Sequence, residues 1–195
     1  MEVEGTRVRI RPLQPSDAPA LLDLRVRNRA AFAPFFPRQS RFFFTLDGQE
    51  REIERANLEW QSDEGYVFGI FVKEDDRLVG NVVLRNVARG AWQNATLGYW
   101  VDDAFRGRSY ATEAVGLALT LAFGPIGLHR VQAGTLLGNE ASMQVLRKNG
   151  FRFEGVSEKY LQIDGRWADH TMFALTVEDW EAAEDDVHNE SDAPR

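Results

Sequence analysis

Residues 105–115 read FRGRSYATEAV and concentrate the residue types that bind anions. Arg106 and Arg108 flank Gly107, and the small residues Ser109 and Ala111 lie either side of Tyr110, where a helix-forming run begins. Small side chains let backbone N–H groups approach a pyrophosphate closely. A helix N-terminus supplies amides without intrahelical acceptors, and guanidinium groups add charge-assisted hydrogen bonds. A solvated basic loop fits the same residues, and that is the commoner fate of an arginine pair. The dinucleotide pattern GxGxxG and the Walker pattern GxxxxGK[ST] are both absent, so neither a Rossmann nor a P-loop site is expected.

Other chemistry-bearing residues are sparse. The chain has no cysteine, which removes disulfides, thiolate metal sites and a cysteinyl acyl-enzyme together. His129, His170 and His188 have no metal-ligand spacing with a partner, and no GxSxG elbow occurs. Each histidine reads as structural or exposed, and no metal is expected. Glu154, Glu158, Asp164 and Asp169 fall on or between the last two strands, where each is a candidate base or a surface carboxylate.

The elements that must position the loop can be read from periodicity. RVRIRPL alternates, with Val8 and Ile10 on one face, and predicts a strand. PSDAPALLDLRVR predicts a helix capped by Ser16 or Asp17, with Pro19 in its first turn and Leu21, Leu22 and Leu24 as apolar positions. Six phenylalanines follow between positions 32 and 44, where Pro34 and Pro37 argue against a continuous helix. LDGQEREIERANLEWQ resumes helical spacing, with Ile53, Ala56 and Trp60 on one face and Asp47 and Glu50 as a capping box. YVFGIFV and RLVGNVVLRNV around KEDD predict an antiparallel hairpin, and NATLGYWV a third strand leading into the opening stretch. A helix is expected at 110–123 and a strand at HRVQAGTL. NEASMQVLRKNG predicts a helix with Ala141, Val145 and Leu146 inward and Gly150 beyond its end, and FRFEGV and DHTMFALT predict strands. The sum is a mixed α/β single domain.

At 195 residues, 44% of them hydrophobic and 27% charged, the chain reads as one ordinary globular domain. Of its 30 acidic and 23 basic residues, eight acids and one arginine fall in 178–195, so 22 of each remain in 1–177. The net charge of −7 therefore belongs to the end of the chain, and residues 181–195 are expected to form a flexible acidic tail on a domain spanning 1–180. A neutral body gives no support to nucleic-acid binding. No apolar run is long enough to span a bilayer and the N-terminus lacks a signal-peptide core, so a cytoplasmic protein without membrane association is expected.

Three blocks add a resemblance: GYWVDDAFRGRSYATEAV, FGPIGLHRVQAGTLLGNEASMQVLRKNGFRFEG and YLQIDGRWADHTMFALTVEDW. In order and spacing they resemble the GNAT family of N-acetyltransferases, and more closely its ribosomal-protein alanine N-acetyltransferase subgroup, over roughly residues 7 to 180. The pattern [QR]-x-x-G-x-[GA], which in that family holds the pyrophosphate of coenzyme A, falls on Arg106, Gly107, Arg108, Ser109, Tyr110 and Ala111. Ser109 stands where the family has glycine, which argues against a left-handed backbone there and offers a serine cap for the helix instead. The resemblance implies a mostly antiparallel sheet with one splayed strand pair, flanked by helices. It further implies that the backbone of Tyr99, Trp100 and Val101 pairs with the pantetheine arm, that Asn139 contacts the same region, and that Ser142 lies near the thioester sulfur. Asn139 is equally readable as a helix cap, and Ser142 as a structural residue. The tyrosine that some relatives use as general acid is replaced by Leu146.

The function implied is transfer of an acetyl group from acetyl-CoA to an amine by direct attack, with the N-terminal α-amine of a protein such as a ribosomal protein as acceptor. Two rivals remain: acetylation of a small-molecule or antibiotic amine, and a non-catalytic acyl-CoA-binding module. The phenylalanines at 32, 35, 36, 42, 43 and 44 are expected to build a partly buried wall beside the acceptor. Their clustering leaves both monomer and homodimer open.

Overall fold

The computed structural model describes residues 1–183. Its centre is one sheet of eight strands in the order β1-β2-β3-β4-β5-β6-β8-β7. These are β1 Val3–Glu4, β2 Val8–Pro12, β3 Gly65–Val72, β4 Leu78–Ala88, β5 Asn94–Val101, β6 Arg130–Leu136, β7 Arg152–Ile163 and β8 Arg166–Thr176. Every neighbouring pair is antiparallel except β5 and β6. The helices are α1 Ala18–Arg27, α2 Arg29–Phe32, α3 Leu46–Gln61, α4 Tyr110–Phe123 and α5 Glu140–Lys148. Residues 177–183 form a further helical segment. No helix among the described residues is long and apolar enough to cross a membrane.

Period-2 alternation divides the sheet between two cores. Along β3, Tyr66, Phe68, Ile70 and Val72 join the larger core with α4, while Val67 and Phe71 join a smaller one with Leu21, Leu24, Ile53 and Ala56 of α1 and α3. Ala114, Ala118 and Ala122 form one row of α4 at i, i+4 spacing, and all are fully buried. A row without long side chains lets the helix axis lie close to the strands, which fixes where its first turn points. Glu113 ties that turn down, since its Oε1 accepts from the backbone N–H of Arg7 at 2.7 Å and of Val8 at 3.2 Å.

Several sequence expectations need correction. The two-residue β1 was missed, having too few residues to show alternation. Helix α3 is capped by Thr45, whose side chain accepts from the Gly48 amide, and not by Asp47. Asp17 sits at the N-cap of α1 but makes no side-chain cap bond, because its carboxylate is held by Arg11 at 2.7 and 2.9 Å. The buried face of α5 is Met143 and Leu146, with Ala141 exposed. The expected tail boundary at 180 falls within the segment 177–183, where Trp180 stacks on Phe123 at 5.6 Å. The remainder of the expected tail, including His188, lies outside the described residues.

Candidate active site

Strands β5 and β6 pair only at Asn94↔Arg130, Ala95↔Val131 and Thr96↔Gln132, then diverge. Beyond Thr96, β5 keeps its pairing with β4 as far as Gly80↔Val101. Its other edge, at residues 97–101, therefore presents backbone donors and acceptors to an open wedge. Tyr99, Trp100 and Val101 lie on this edge. Their side chains alternate across the sheet: Tyr99 packs toward the α4 and α5 core, and Trp100 toward α1 and α3.

The far wall of the wedge is the start of α5. Asn139 is its N-cap and accepts from the Ser142 amide at 3.3 Å. The Tyr99 hydroxyl lies 2.9 Å from Ser142 Oγ and 2.9 Å from the Ser142 carbonyl oxygen. Tyr99, Asn139 and Ser142 are thus brought together, which sequence reasoning did not foresee for the tyrosine side chain. Burial pushes the Tyr99 phenol up to about 12, opposed in part by its hydrogen bond with Ser142, so it keeps its proton at neutral pH. A phenol with one proton satisfies the carbonyl or the serine hydroxyl, and the two acceptors compete for it.

Below the wedge, the chain leaves β5 through a 3₁₀ turn at Asp103–Phe105 and enters α4. Gly107 and Ser109 both have left-handed backbone, at φ +75 and +63. Ser109 occupies the N-cap but its side chain makes no cap bond, so the expected serine cap is corrected and the disfavoured left-handed conformation is the one adopted. Among the described residues, none of the six backbone amides from Gly107 to Thr112 has a protein acceptor. Nothing stands within 4 Å of where a Gly107 side chain would begin, so the loop faces open space. Arg106 pairs with Asp103 at 2.8 Å, and Arg108 stacks over Phe105 at 5.1 Å. Six free donors beside two exposed cations at a helix N-terminus are an arrangement suited to holding an anion.

The left-handed serine gives a prediction. An L-residue there costs about 1–2 kcal/mol, while glycine costs about 0.5–1 kcal/mol more chain entropy on folding. Ser109→Gly should stabilise by up to about 1 kcal/mol, raising Tm by about 2–4 °C in a thermal melt. A lower Tm would show that the hydroxyl anchors the loop.

Carboxylates suited to act as a base are harder to find. Glu154 is held by Arg130, whose guanidinium keeps the carboxyl below the usual range and makes it a weaker base. Asp164 pairs with Arg38 at 2.9 Å, Asp169 accepts from the Lys159 amide at 2.8 Å, and Glu158 is exposed. His170 is buried with Nδ1 2.9 Å from the Ala168 carbonyl, and His129 is bonded to Glu178 at the surface. No cluster of three metal-ligating side chains occurs among the described residues.

The mostly antiparallel sheet with one splayed pair is the fold that the resemblance to the GNAT family implied, and comparison with known proteins shows the acetyltransferase class. The profile of the acetyltransferase (GNAT) domain matches residues 7–152. The chain belongs to the GNAT family of acetyltransferases. It is 40% identical over 173 residues to the Probable N-acetyltransferase YjcK of Bacillus subtilis, covering 89% of this chain and 96% of that protein. Among solved structures, the ribosomal-protein-S5-alanine acetyltransferase from Vibrio fischeri superposes with a TM-score of 0.86 at 29% identity, covering 92% and 98% of the two chains. Mycobacterium smegmatis RimJ in complex with CoA-disulfide gives 0.83 at 29% identity, covering 91% and 89%.

Proposed function

We propose that this N-acetyltransferase uses acetyl-CoA and acts on the N-terminal α-amine of a polypeptide. The observation that carries the coenzyme assignment is the run of unpaired amides at 107–112 beside the open edge of β5. These amides take the pyrophosphate, with Arg106 and Arg108 adding charge. The free edge at Tyr99, Trp100 and Val101 pairs with the amide groups of the pantetheine arm, and Asn139 lies alongside. That path leads the thioester to Ser142 and Tyr99. The likeness to RimJ in complex with CoA-disulfide supports coenzyme A as the ligand.

Direct attack needs a neutral amine. With a pKa of about 7.7–8.0, an α-amine is already about a tenth uncharged at pH 7, whereas lysine at about 10.4 needs a strong base. With Glu154, Asp164 and Asp169 each engaged by a partner, the α-amine is the better match. The 29% identity to an S5-alanine acetyltransferase points the same way. As the C–S bond breaks, the amine loses a proton to solvent and the Ser142 hydroxyl donates a hydrogen bond to the departing thiolate.

The test is an intact-mass acetylation assay with acetyl-CoA, a panel of N-terminal peptides and a library of small amines. Peptide turnover with mass added at the N-terminus is expected, and turnover confined to small amines would overturn the acceptor assignment. Saturating acetyl-CoA should also raise Tm, because a ligand of the folded state adds RT ln(1 + [L]/Kd). Charge-assisted contacts give about 1.5–3 kcal/mol each and solvent screening reduces this at exposed groups. Replacing Arg106 and Arg108 together with alanine should therefore weaken coenzyme binding by about 10- to 100-fold. Unchanged affinity by calorimetry would return both to the solvated-loop reading.

A further inference from the structure

On the face of β5 opposite Tyr99, three arginines lie on aromatic rings without meeting a carboxylate. The Arg25 guanidinium stacks 4.3 Å from Trp100 and 5.1 Å from Phe43, Arg29 lies 4.4 Å from Phe44, and Arg51 lies 5.4 Å from Phe42. Among the described residues none of the three forms an ion pair or hydrogen bond, although Arg11, Arg27, Arg89 and Arg130 all pair with acids. The acid nearest in charge to Arg25 is Glu52, and Arg55 holds that carboxylate at 2.7 Å. Arg25 Nε and Trp100 Nε1 are both shielded from solvent with no acceptor. Burial lowers the Arg25 guanidinium to about 10, so it remains a cation at neutral pH. A largely buried cation without a counter-charge is costly unless something supplies one.

The patch borders the wedge. Phe32 packs edge-on to Trp100 at 5.4 Å, and the segment beyond it reaches the β7–β8 turn, where Phe36 accepts from the Asp164 amide at 3.1 Å. Phe35 and Phe42 remain 41% and 46% exposed. The phenylalanine-rich segment is thus partly buried, and the arginines lie on its second half: Arg51 on the exposed Phe42, Arg25 and Arg29 on the half-buried Phe43 and Phe44.

We infer that this arginine–aromatic patch selects the acceptor: it receives an acidic polypeptide, whose carboxylates behind the reacting N-terminal amine lie on Arg25, Arg29 and Arg51. The inference rests on the peptide-amine reading above and names the kind of peptide. Charge complementarity favours an anionic occupant. The three guanidinium groups come from α1, α2 and α3, each on a separate ring. Groups held on three separate elements can each meet a different carboxylate of one chain, whereas a compact phosphate needs donors that converge on it.

The test uses the full chain and two peptides with the same first two residues, one carrying Asp and Glu at positions three to six and the other Asn and Gln. The parent protein should show kcat/KM about tenfold higher for the acidic peptide, mainly through KM, with the preference shrinking as salt rises. Arg25→Gln should bring the ratio close to one while acetyl-CoA still raises Tm. Should Arg25→Gln fold poorly, the exposed pair Arg29→Gln and Arg51→Gln should reduce the ratio in its place. Equal turnover of the two peptides by the parent, or a preference that survives both variants, overturns this inference and leaves the peptide-amine reading standing. Turnover of small amines with neither peptide acetylated overturns both.

Discussion

Asp102→Ala should be the most destabilising single change in the β5 exit, costing about 3 kcal/mol and lowering Tm by about 6–12 °C. Asp102 is 1% exposed, and its carboxylate is the hub joining α1 to the end of β5. It accepts from the Arg27 guanidinium, from Asn28 Nδ2 at 2.9 Å and from the Ala104 amide at 3.3 Å. Asn28, itself buried, returns a bond by accepting from the Asp103 amide at 2.9 Å. Removing one member of a buried pair costs about 3–5 kcal/mol when the other charge is stranded. The lower end applies here, because Arg27 is half-exposed and turns to water. Asp102→Asn keeps an oxygen acceptor and should lose less. Denaturant melts of the three proteins check the order, and an alanine variant within about 1 °C of the parent would show that the hub contributes nothing net.

The same group sets a pH dependence. Burial raises the Asp102 pKa, and the bonds from Arg27, Asn28 and Ala104 outweigh it, leaving the carboxyl below its ordinary value. A carboxylate with a depressed folded pKa stabilises fully above its unfolded value, about 3.9, and loses that contribution as pH falls through the folded value. The gap between parent and alanine variant should be constant at neutral pH and close only below about pH 4.

Much of this arrangement was legible in the sequence, for reasons that differ between elements. Helix α4 was readable to its limits, because a loop with glycine precedes Tyr110 and Gly124 ends the apolar run. The exit hub was not, since Asp102 and Asn28 are 74 positions apart and neither stands in a pattern. Before α3 the spacing of Asp47 and Glu50 suggested a capping box, and Thr45, which follows the Phe42–Phe44 turn and caps the helix, went unseen because Gly48 at its third position completes no box. At Ser109 the intrinsic preference pointed away from left-handed backbone, and the turn from β5 into α4 overrode it. The contact of Tyr99 with Ser142 did leave a signal. Alternation in GYWV places residues 99 and 100 on opposite faces, so Tyr99 faces α5 whenever Trp100 faces α1. What the pattern alone lacked was the distance from β5 to the start of α5 across the diverging pair.

Tyr99→Phe and Ser142→Ala should lower kcat by about 10-fold or somewhat more, with acetyl-CoA affinity nearly unchanged. A donor that meets charge only as the thiolate forms contributes in the transition state and not in ground-state binding. Positioned proton donors contribute about 100- to 10,000-fold where they are essential. A thiolate is a good leaving group and water replaces a lost hydroxyl, so the effect falls at or below the low end. On the proposed mechanism Tyr99 acts by position. When its phenol donates to Ser142 Oγ, the serine proton is free to point at sulfur; when it donates to the Ser142 carbonyl, the serine hydroxyl can turn back to the phenol oxygen. With its pKa at about 12 the phenol remains a donor throughout the working range, so the loss in Tyr99→Phe should not vary with pH below about 10. An α-amine acceptor meanwhile gives a parent rate that rises with pH toward the amine's own pKa and then levels. The measurement is kcat and acetyl-CoA affinity for parent, both single variants and the double, from pH 6 to 9, with an N-terminal alanine peptide. If the two side chains act as one unit, the double variant should be no slower than the slower single. Equal kcat in Ser142→Ala and parent would leave Ser142 as a helix-start residue. A Tyr99→Phe that loses melting temperature but not kcat would reduce the tyrosine to a strut between β5 and α5.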